Sequence, residues 1–150
     1  MEESLTLDLM GDGLIHVRVA GEDDLAFVGQ DGYLAVDVLQ RRVTAREVLI
    51  AEQDGVAIGY LRLEFLWSKV PYIGLIRVLD GWRRRGVGRA LLQFVEQDLR
   101  ARGHRALYSS SQADEAEPQA WHRKLGFQEC GIIAGINKDG IGEIFFRKEL

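Results

Sequence analysis

The stretch "DGWRRRGVGRALL", Asp80 to Leu92, combines residue types that suit one kind of chemistry, the holding of an anion. The apolar pattern after it makes Gly86 the start of a helix, and the first N–H groups of a helix have no intrahelical partner. Ser, Thr, Asp or Asn commonly satisfy them from the N-cap position. Here Arg83, Arg84 and Arg85 stand directly before Gly86 instead. Cations at this end oppose the helix dipole, each costing roughly a few tenths of a kcal/mol or more. A phosphate reconciles these features, because it accepts the free N–H groups, sits at the positive end of the dipole and pairs with the arginines. Gly86 and Gly88 remove the side chains that would hold it off the backbone. A glycine-rich turn with solvated arginines would explain the glycines, but not three cations at the wrong end.

Two familiar phosphate loops do not fit. A Walker A loop needs Gly-Lys followed by Ser or Thr, and no such pair occurs. A dinucleotide fingerprint needs a third glycine where this chain has Leu91, and it opens a βαβ unit rather than following a run of strands.

The elements that must carry this loop are legible from periodicity. Val87, Ala90, Leu91, Phe94, Val95 and Leu99 repeat at helical spacing from Gly86 to Arg102, and Arg100, Arg102 and Gly103 form a stop signal. "VPYIGLIRVLD" before the loop is a strand opened by Pro71. "LIHVRVA" is a strand, "GEDDLAFVGQ" a short helix and "YLAVDVLQRRV" a second helix. "AREVLIAEQDGVAIGYLRLEFLW" holds two strands joined at Gln53-Asp54-Gly55, a hairpin signal. "RALYSSS" is a strand and "ADEAEPQAWHRKLG" a helix; "FQECGIIAGI" and "IGEIFFRKEL" close the chain around an expected hairpin turn at "NKDG". Residues 1–13 are expected to be a flexible leader and residues 14–150 one domain. The order points to an α+β fold around a central sheet.

Composition bounds the function. A chain of 150 residues that is 47% hydrophobic and 28% charged is long enough for a single buried core. Its net charge of −4, from 19 Lys+Arg against 23 Asp+Glu, argues against a nucleic-acid binder. The single cysteine, Cys130, allows no internal disulfide and is expected as a small buried residue. No run approaches a membrane span, and the N-terminus resembles no signal peptide, so the expected location is the cytoplasm. No metal site is expected.

"VLDGWRRRGVGRALL" resembles the coenzyme A motif of the GNAT superfamily of N-acetyltransferases, which runs Arg/Gln-x-x-Gly-x-Gly/Ala after a strand; Arg83, Gly86 and Gly88 match it. Asp80 stands where the family often has proline. "WHRKLGF" (Trp121–Phe127) is similar to the family's Tyr-x-x-x-Gly-Phe signature, with His122 at the tyrosine position. The element order matches from Leu14 to Leu150. The resemblance implies a three-layer α/β/α fold whose mixed, mostly antiparallel sheet splays between its fourth and fifth strands, Tyr72–Leu79 and Ala106–Ser111. It implies acetyl-CoA as cosubstrate. The pantetheine would lie along the backbone near Val78 and Leu79, and the pyrophosphate on the segment Arg83, Arg84, Arg85, Gly86, Val87, Gly88, Arg89 and Ala90.

Acetyl transfer to an amine needs the amine to lose a proton, the thioester carbonyl to be polarised and the thiolate to leave. The resemblance makes His122 a candidate for the acid that the family's tyrosine supplies, since an imidazole exchanges protons near neutrality. Trp121 and Leu125 are expected to face the core, which puts His122 on the helix flank. Tyr108 is a second candidate acid. Glu64 is the candidate base, with Glu115 a weaker one that capping explains more simply. The hydroxyls of Ser109, Ser110 and Ser111 either line the cleft or end a polar strand, and Trp67, Trp82 and Trp121 either flank an acceptor pocket or pack in the core.

The expected function is therefore acetyl-CoA-dependent transfer to a primary amine of a small molecule or peptide, by direct attack in a ternary complex. No nucleic-acid or membrane partner is expected, and the closing strands are a candidate homodimer surface. Two other classes remain. A non-catalytic acyl-CoA-binding or regulatory module binds coenzyme A tightly and transfers nothing. A nucleotide-binding protein using the same loop binds ATP or NADH as well as coenzyme A.

Overall fold

The computed structural model describes residues 4–8 and 13–150. The described residues form eight strands and four α-helices in two compact units, Met1–Leu63 with Leu75–Asp98, and Glu64–Gly74 with Leu99–Leu150.

The first unit holds β1 (Ser4–Asp8), β2 (Leu14–Val19), α1 (Leu25–Val28), α2 (Val36–Thr44), β3 (Val48–Gln53), residues 56–63 of β4 (Val56–Leu66), residues 75–78 of β5 (Val70–Val78) and α3 (Val87–Ala101) as far as Asp98. Its strands follow the order β1-β2-β3-β4-β5. Strand β1 lies inside the stretch read as a leader and pairs antiparallel with β2; residues 1–3 and 9–12 of that stretch lie outside the described residues. The β3–β4 connection is the two-residue turn Asp54-Gly55, both at positive φ (51° and 77°), which is the type I′ geometry that asparagine, aspartate and glycine favour. Strand β3 is buried almost throughout, as its run of apolar residues dictates. Ala20, Val28, Leu39, Val43, Val48, Ile50 and Tyr60 form one core cluster. Within it the Tyr60 hydroxyl (2.6 Å) and the Arg62 guanidinium (2.8 Å) both donate to the buried Asp31 carboxylate, which fastens the α1–α2 loop to β4.

The second unit holds the β4–β5 hairpin tip, β6 (Ala106–Gln112), α4 (Ala116–Lys124), β7 (Gln128–Ile133) and β8 (Glu143–Glu149), with the strands in the order β5-β6-β8-β7. β6–β8 and β7–β8 are antiparallel. β5 and β6 are parallel and share the ladder pair Tyr72↔Tyr108. With β1 counted, these are the fourth and fifth strands of the expected fold, and the sheet is mixed and mostly antiparallel, as the resemblance implies.

"NKDG" is the turn between β7 and β8, set within a longer connection of residues 134–142: the Gly140 N–H donates to the Asn137 carbonyl (3.2 Å) and the Asn137 N–H to the Ile141 carbonyl (3.0 Å), with Asp139 at φ 60°. One expectation changes. Cys130 is exposed on β7, where every residue is exposed, because β7 lies at the end of the strand order with one ladder neighbour. Of the three tryptophans, Trp67 is 85% exposed at the hairpin tip.

Candidate active site

The segment from Val78 to Ala90 lies in the first unit and connects the end of β5 to the start of α3. The Leu79 N–H donates to the Ile58 carbonyl (2.9 Å), so the loop leaves from a paired strand end, and the Trp82 N–H folds back to the Leu79 carbonyl (3.0 Å). Gly81 (φ 81°), Arg84 (φ 61°) and Gly86 (φ 84°) all occupy the left-handed region. For an arginine that conformation costs on the order of 1–3 kcal/mol, and such strain clusters at ligand sites. The Ala90 N–H closes the first helical bond on the Gly86 carbonyl (2.9 Å), making Gly86 the N-cap, where a side chain would meet the left-handed penalty.

Packing fixes this helix start. A Cβ on Gly59 in β4 would come within 2.9 Å of the Arg77 carbonyl oxygen and 3.1 Å of the Val87 side chain. Glycine there lets β5 and the first residue of α3 settle onto β4. Val87, Gly88 and Ala90 are buried, while Arg83, Arg84, Arg85 and Arg89 are exposed. Arg83 pairs with Asp80 (3.2 Å) and its Nε donates to the Val78 carbonyl (3.4 Å); Arg85 lies over the Trp82 ring (5.2 Å). Asp80, at the family's proline position, thus holds an arginine rather than stiffening the turn.

The second unit places the other candidates on two faces of one strand. On one face of β6, Ser109 meets His122 of α4. His122 is 3% exposed, which corrects the expected position on the helix flank. The ring stacks on Phe146 (4.6 Å, 4°) with Phe127 edge-on (5.4 Å). Its Nδ1 lies 2.7 Å from the Pro118 carbonyl, an acceptor only, so Nδ1 carries the proton and donates. Nε2 then accepts from the Ser109 hydroxyl at 2.7 Å. Burial holds the imidazole pKa below its ordinary value, against the Pro118 bond and the charge of Glu143. The ring is neutral with both nitrogens committed. Ser111, also buried on β6, has no hydrogen-bond partner. Glu115 occupies the N-cap of α4 without a side-chain capping bond, so capping does not account for it.

On the opposite face, Ser110 joins a chain of hydrogen bonds. Its hydroxyl donates to Glu143 Oε2 (2.6 Å), so its single proton is committed, and the Tyr72 hydroxyl at 2.6 Å is the donor to Ser110. Asn137 Nδ2 donates to the other oxygen, Glu143 Oε1, at 3.0 Å. The Tyr72 ring stacks on Phe145 (5.8 Å). Burial pushes the Tyr72 phenol up, and the charges of Glu143 and Glu64 add to this. Glu64 lies against β5, where a Cβ on Gly74 would collide with its carboxylate. Tyr108, in register with Tyr72, hydrogen-bonds Arg147.

Thus Val78, Leu79 and Arg83 to Ala90 lie on one continuous segment of the first unit, and Glu64 lies beside Tyr72 in the second. His122 and Glu64 belong to different groups within that unit. Sequence reasoning missed Tyr72, Asn137 and Glu143; the alternation of side chains along β6 was the available signal that three consecutive serines serve different faces. Among the described residues, no group of three or more His, Cys, Asp or Glu is arranged to hold a metal, and no helix is long and apolar enough to cross a membrane.

Residues 21–127 match the model of the acetyltransferase (GNAT) family, and the chain belongs to that family. It is 34% identical over 99 residues to aminoglycoside N(6')-acetyltransferase type 1 of Klebsiella aerogenes, covering 61% of this chain and 65% of that protein. It is 44% identical over 89 residues to the protein of the same name in Stenotrophomonas maltophilia, covering 54% of this chain and 58% of that one. The chain therefore spans less than two thirds of the length of these curated relatives. Ard1 from Thermoplasma volcanium shares the fold, with a TM-score of 0.80 at 17% identity over 91% of this chain and 97% of that one.

Proposed function

We propose that residues 14–150 are an acetyl-CoA-dependent N-acetyltransferase domain that moves an acetyl group to a primary amine by direct attack in a ternary complex. The observation that carries this reading is the helix start at Gly86, where a left-handed glycine cap, a left-handed Arg84 and four exposed arginines flank the first N–H groups of α3, which have no intrahelical partner. In a chain of this family, the ligand that suits it is the pyrophosphate of coenzyme A, on Arg83 to Ala90, with the pantetheine along the backbone at Val78 and Leu79.

The acceptor is a small-molecule or peptide amine. Glu64 and Glu143 put negative charge around Tyr72, which favours a cation. The aminoglycoside acetyltransferases among the relatives make a polyamine of that kind the first acceptor to try. Glu64, expected as the base, serves here as the carboxylate that draws in the ammonium group. His122, expected as the acid, is neutral and has both nitrogens engaged, so it is a weak proton donor as it stands. A thiolate whose conjugate thiol has a pKa near ~8.5 leaves without a strong acid.

The test is acetyl transfer from acetyl-CoA to an aminoglycoside, a polyamine and a peptide with a free α-amino group, followed by thiol release and product mass. Transfer to at least one acceptor is expected. Tight coenzyme A binding with no transfer to any of them would instead favour the non-catalytic acyl-CoA-binding module, the alternative to which the burial of His122 lends weight. In Gly86→Val, acetyl-CoA binding should weaken at least tenfold while the far-ultraviolet circular dichroism stays unchanged; unaltered affinity would remove the pyrophosphate from this loop.

A further inference from the structure

We infer that Tyr72, Ser110 and Glu143 form the route by which the attacking amine loses its proton, with Glu143 the terminal acceptor, Asn137 its positioning residue and the Tyr72 phenol the group that touches the substrate nitrogen. This rests on the acetyltransferase reading and assigns the proton step within it.

Three observations carry it. The chain has a fixed direction. Glu143 Oε2 is an acceptor, so the Ser110 proton points at it and the Tyr72 proton points at Ser110 (2.6 Å each). A proton arriving at the Tyr72 oxygen is therefore relayed without any group rotating first. The terminal carboxylate is held on both sides, by Ser110 at Oε2 and by Asn137 at Oε1 (3.0 Å), so it does not swing away to solvent. Finally, Tyr72 is in register with Tyr108 on the parallel strands β5 and β6, and its ring is fixed by stacking on Phe145 (5.8 Å). The phenol is the end of the chain away from the carboxylate, with Ser110 between them.

The step balances from the free amine; an acceptor that arrives as an ammonium ion first gives one proton to solvent. As the nitrogen lone pair forms the N–C bond to the thioester carbonyl, the carbonyl π pair moves to oxygen. The N–H proton passes to the Tyr72 oxygen, the Tyr72 proton to Ser110, and the Ser110 proton to Glu143, which becomes neutral. Collapse of the adduct re-forms the carbonyl and breaks the C–S bond, releasing the thiolate, and Glu143 returns its proton to solvent. Amine and thioester become amide, thiolate and one proton. No oxidant or metal is involved. Glu64 acts on the same phenol as a charge and takes no proton in this scheme.

The relay separates from a merely structural role through Ser110. Ser110→Ala removes the central hydroxyl, whereas Ser110→Thr keeps one. With the acceptor that the wild type acetylates best, Ser110→Ala and Glu143→Gln should lower kcat at least tenfold, with Kd for acetyl-CoA within twofold of wild type in both and KM for the amine within twofold in Ser110→Ala, which keeps the charge. Ser110→Thr should recover most of kcat, and the solvent deuterium isotope effect on kcat should change in Ser110→Ala. Thermal melts of each variant exclude unfolding as the cause. If Ser110→Ala and Glu143→Gln both keep wild-type kcat, the relay is overturned and the acetyltransferase reading stands. A wild-type protein that acetylates no amine overturns that reading and the relay together.

Discussion

Ser109 and Ser110 are neighbours on one strand and belong to opposite kinds of site. Ser109 points to the α4 face, is 2% exposed, and spends its proton on a histidine locked between Pro118 and Phe146. Ser110 points to the other face, is only half-buried, and lies in a directed chain from a phenol to a carboxylate. The first arrangement is closed: each polar atom has its partner and no solvent reaches it, so it contributes to stability. The second is a chain of hydroxyl donors that ends on a carboxylate. One residue of pleat decides which serine does which, because successive side chains alternate across a sheet.

The difference can be broken from either side. The largest effect expected is on the open face, the tenfold or greater fall in kcat for Ser110→Ala and Glu143→Gln, with little loss of stability because water can reach those partners. On the same face, Glu64→Gln should raise KM for a cationic acceptor several-fold while leaving kcat within about twofold, since it removes a charge and not a relay proton. Initial-rate kinetics with that acceptor separate the two; an unchanged KM would remove Glu64 from acceptor binding.

On the closed face the effects should appear in stability. Ser109→Ala leaves His122 Nε2 buried without a donor, at a cost of about 1–3 kcal/mol. For a chain of this size each kcal/mol lowers Tm by roughly 2–4 °C. A melt unchanged from wild type, or a kcat loss as large as that of Ser110→Ala, would mean that the two serines are not divided as described.

The smallest effect is a pH dependence. The folded state holds the His122 pKa below its ordinary value of 6.5, so the unfolded chain binds more protons there. Stability is fully present above that value and declines as pH falls from it toward the folded-state pKa. Melts between pH 7.5 and pH 5, values spanning roughly that window, should show this decline, and His122→Phe should flatten it. An equal slope in that variant would assign the pH dependence to other groups.

Much of the fold and half of the site are local in sequence, which is why they were legible. The segment expected to hold the anion is continuous from Val78 to Ala90, Gly81 and Gly86 in it are at positive φ, and three of its arginines precede the helix directly. The β3–β4 turn was equally plain, since Asp54-Gly55 has the chemistry its geometry demands. The other half depends on contacts distant along the chain. Tyr72 reaches Ser110 38 residues away, and Ser110 reaches Glu143 33 residues away, so no spacing pattern joins them. His122 went to the wrong side for a related reason. Helical spacing placed Trp121 and Leu125 inward, whereas stacking on Phe146 and the bond to Ser109 draw the imidazole inward instead. Cys130 was expected inside because cysteine usually is, and it is exposed because β7 ends the strand order.

The most direct test of the central claim is a calorimetric titration of the protein with acetyl-CoA, coenzyme A, ATP and NADH at one salt concentration. The account predicts that acetyl-CoA and coenzyme A bind, that ATP and NADH bind far more weakly, and that Gly86→Val loses the first two. No binding of acetyl-CoA, or ATP binding as tight, would contradict it.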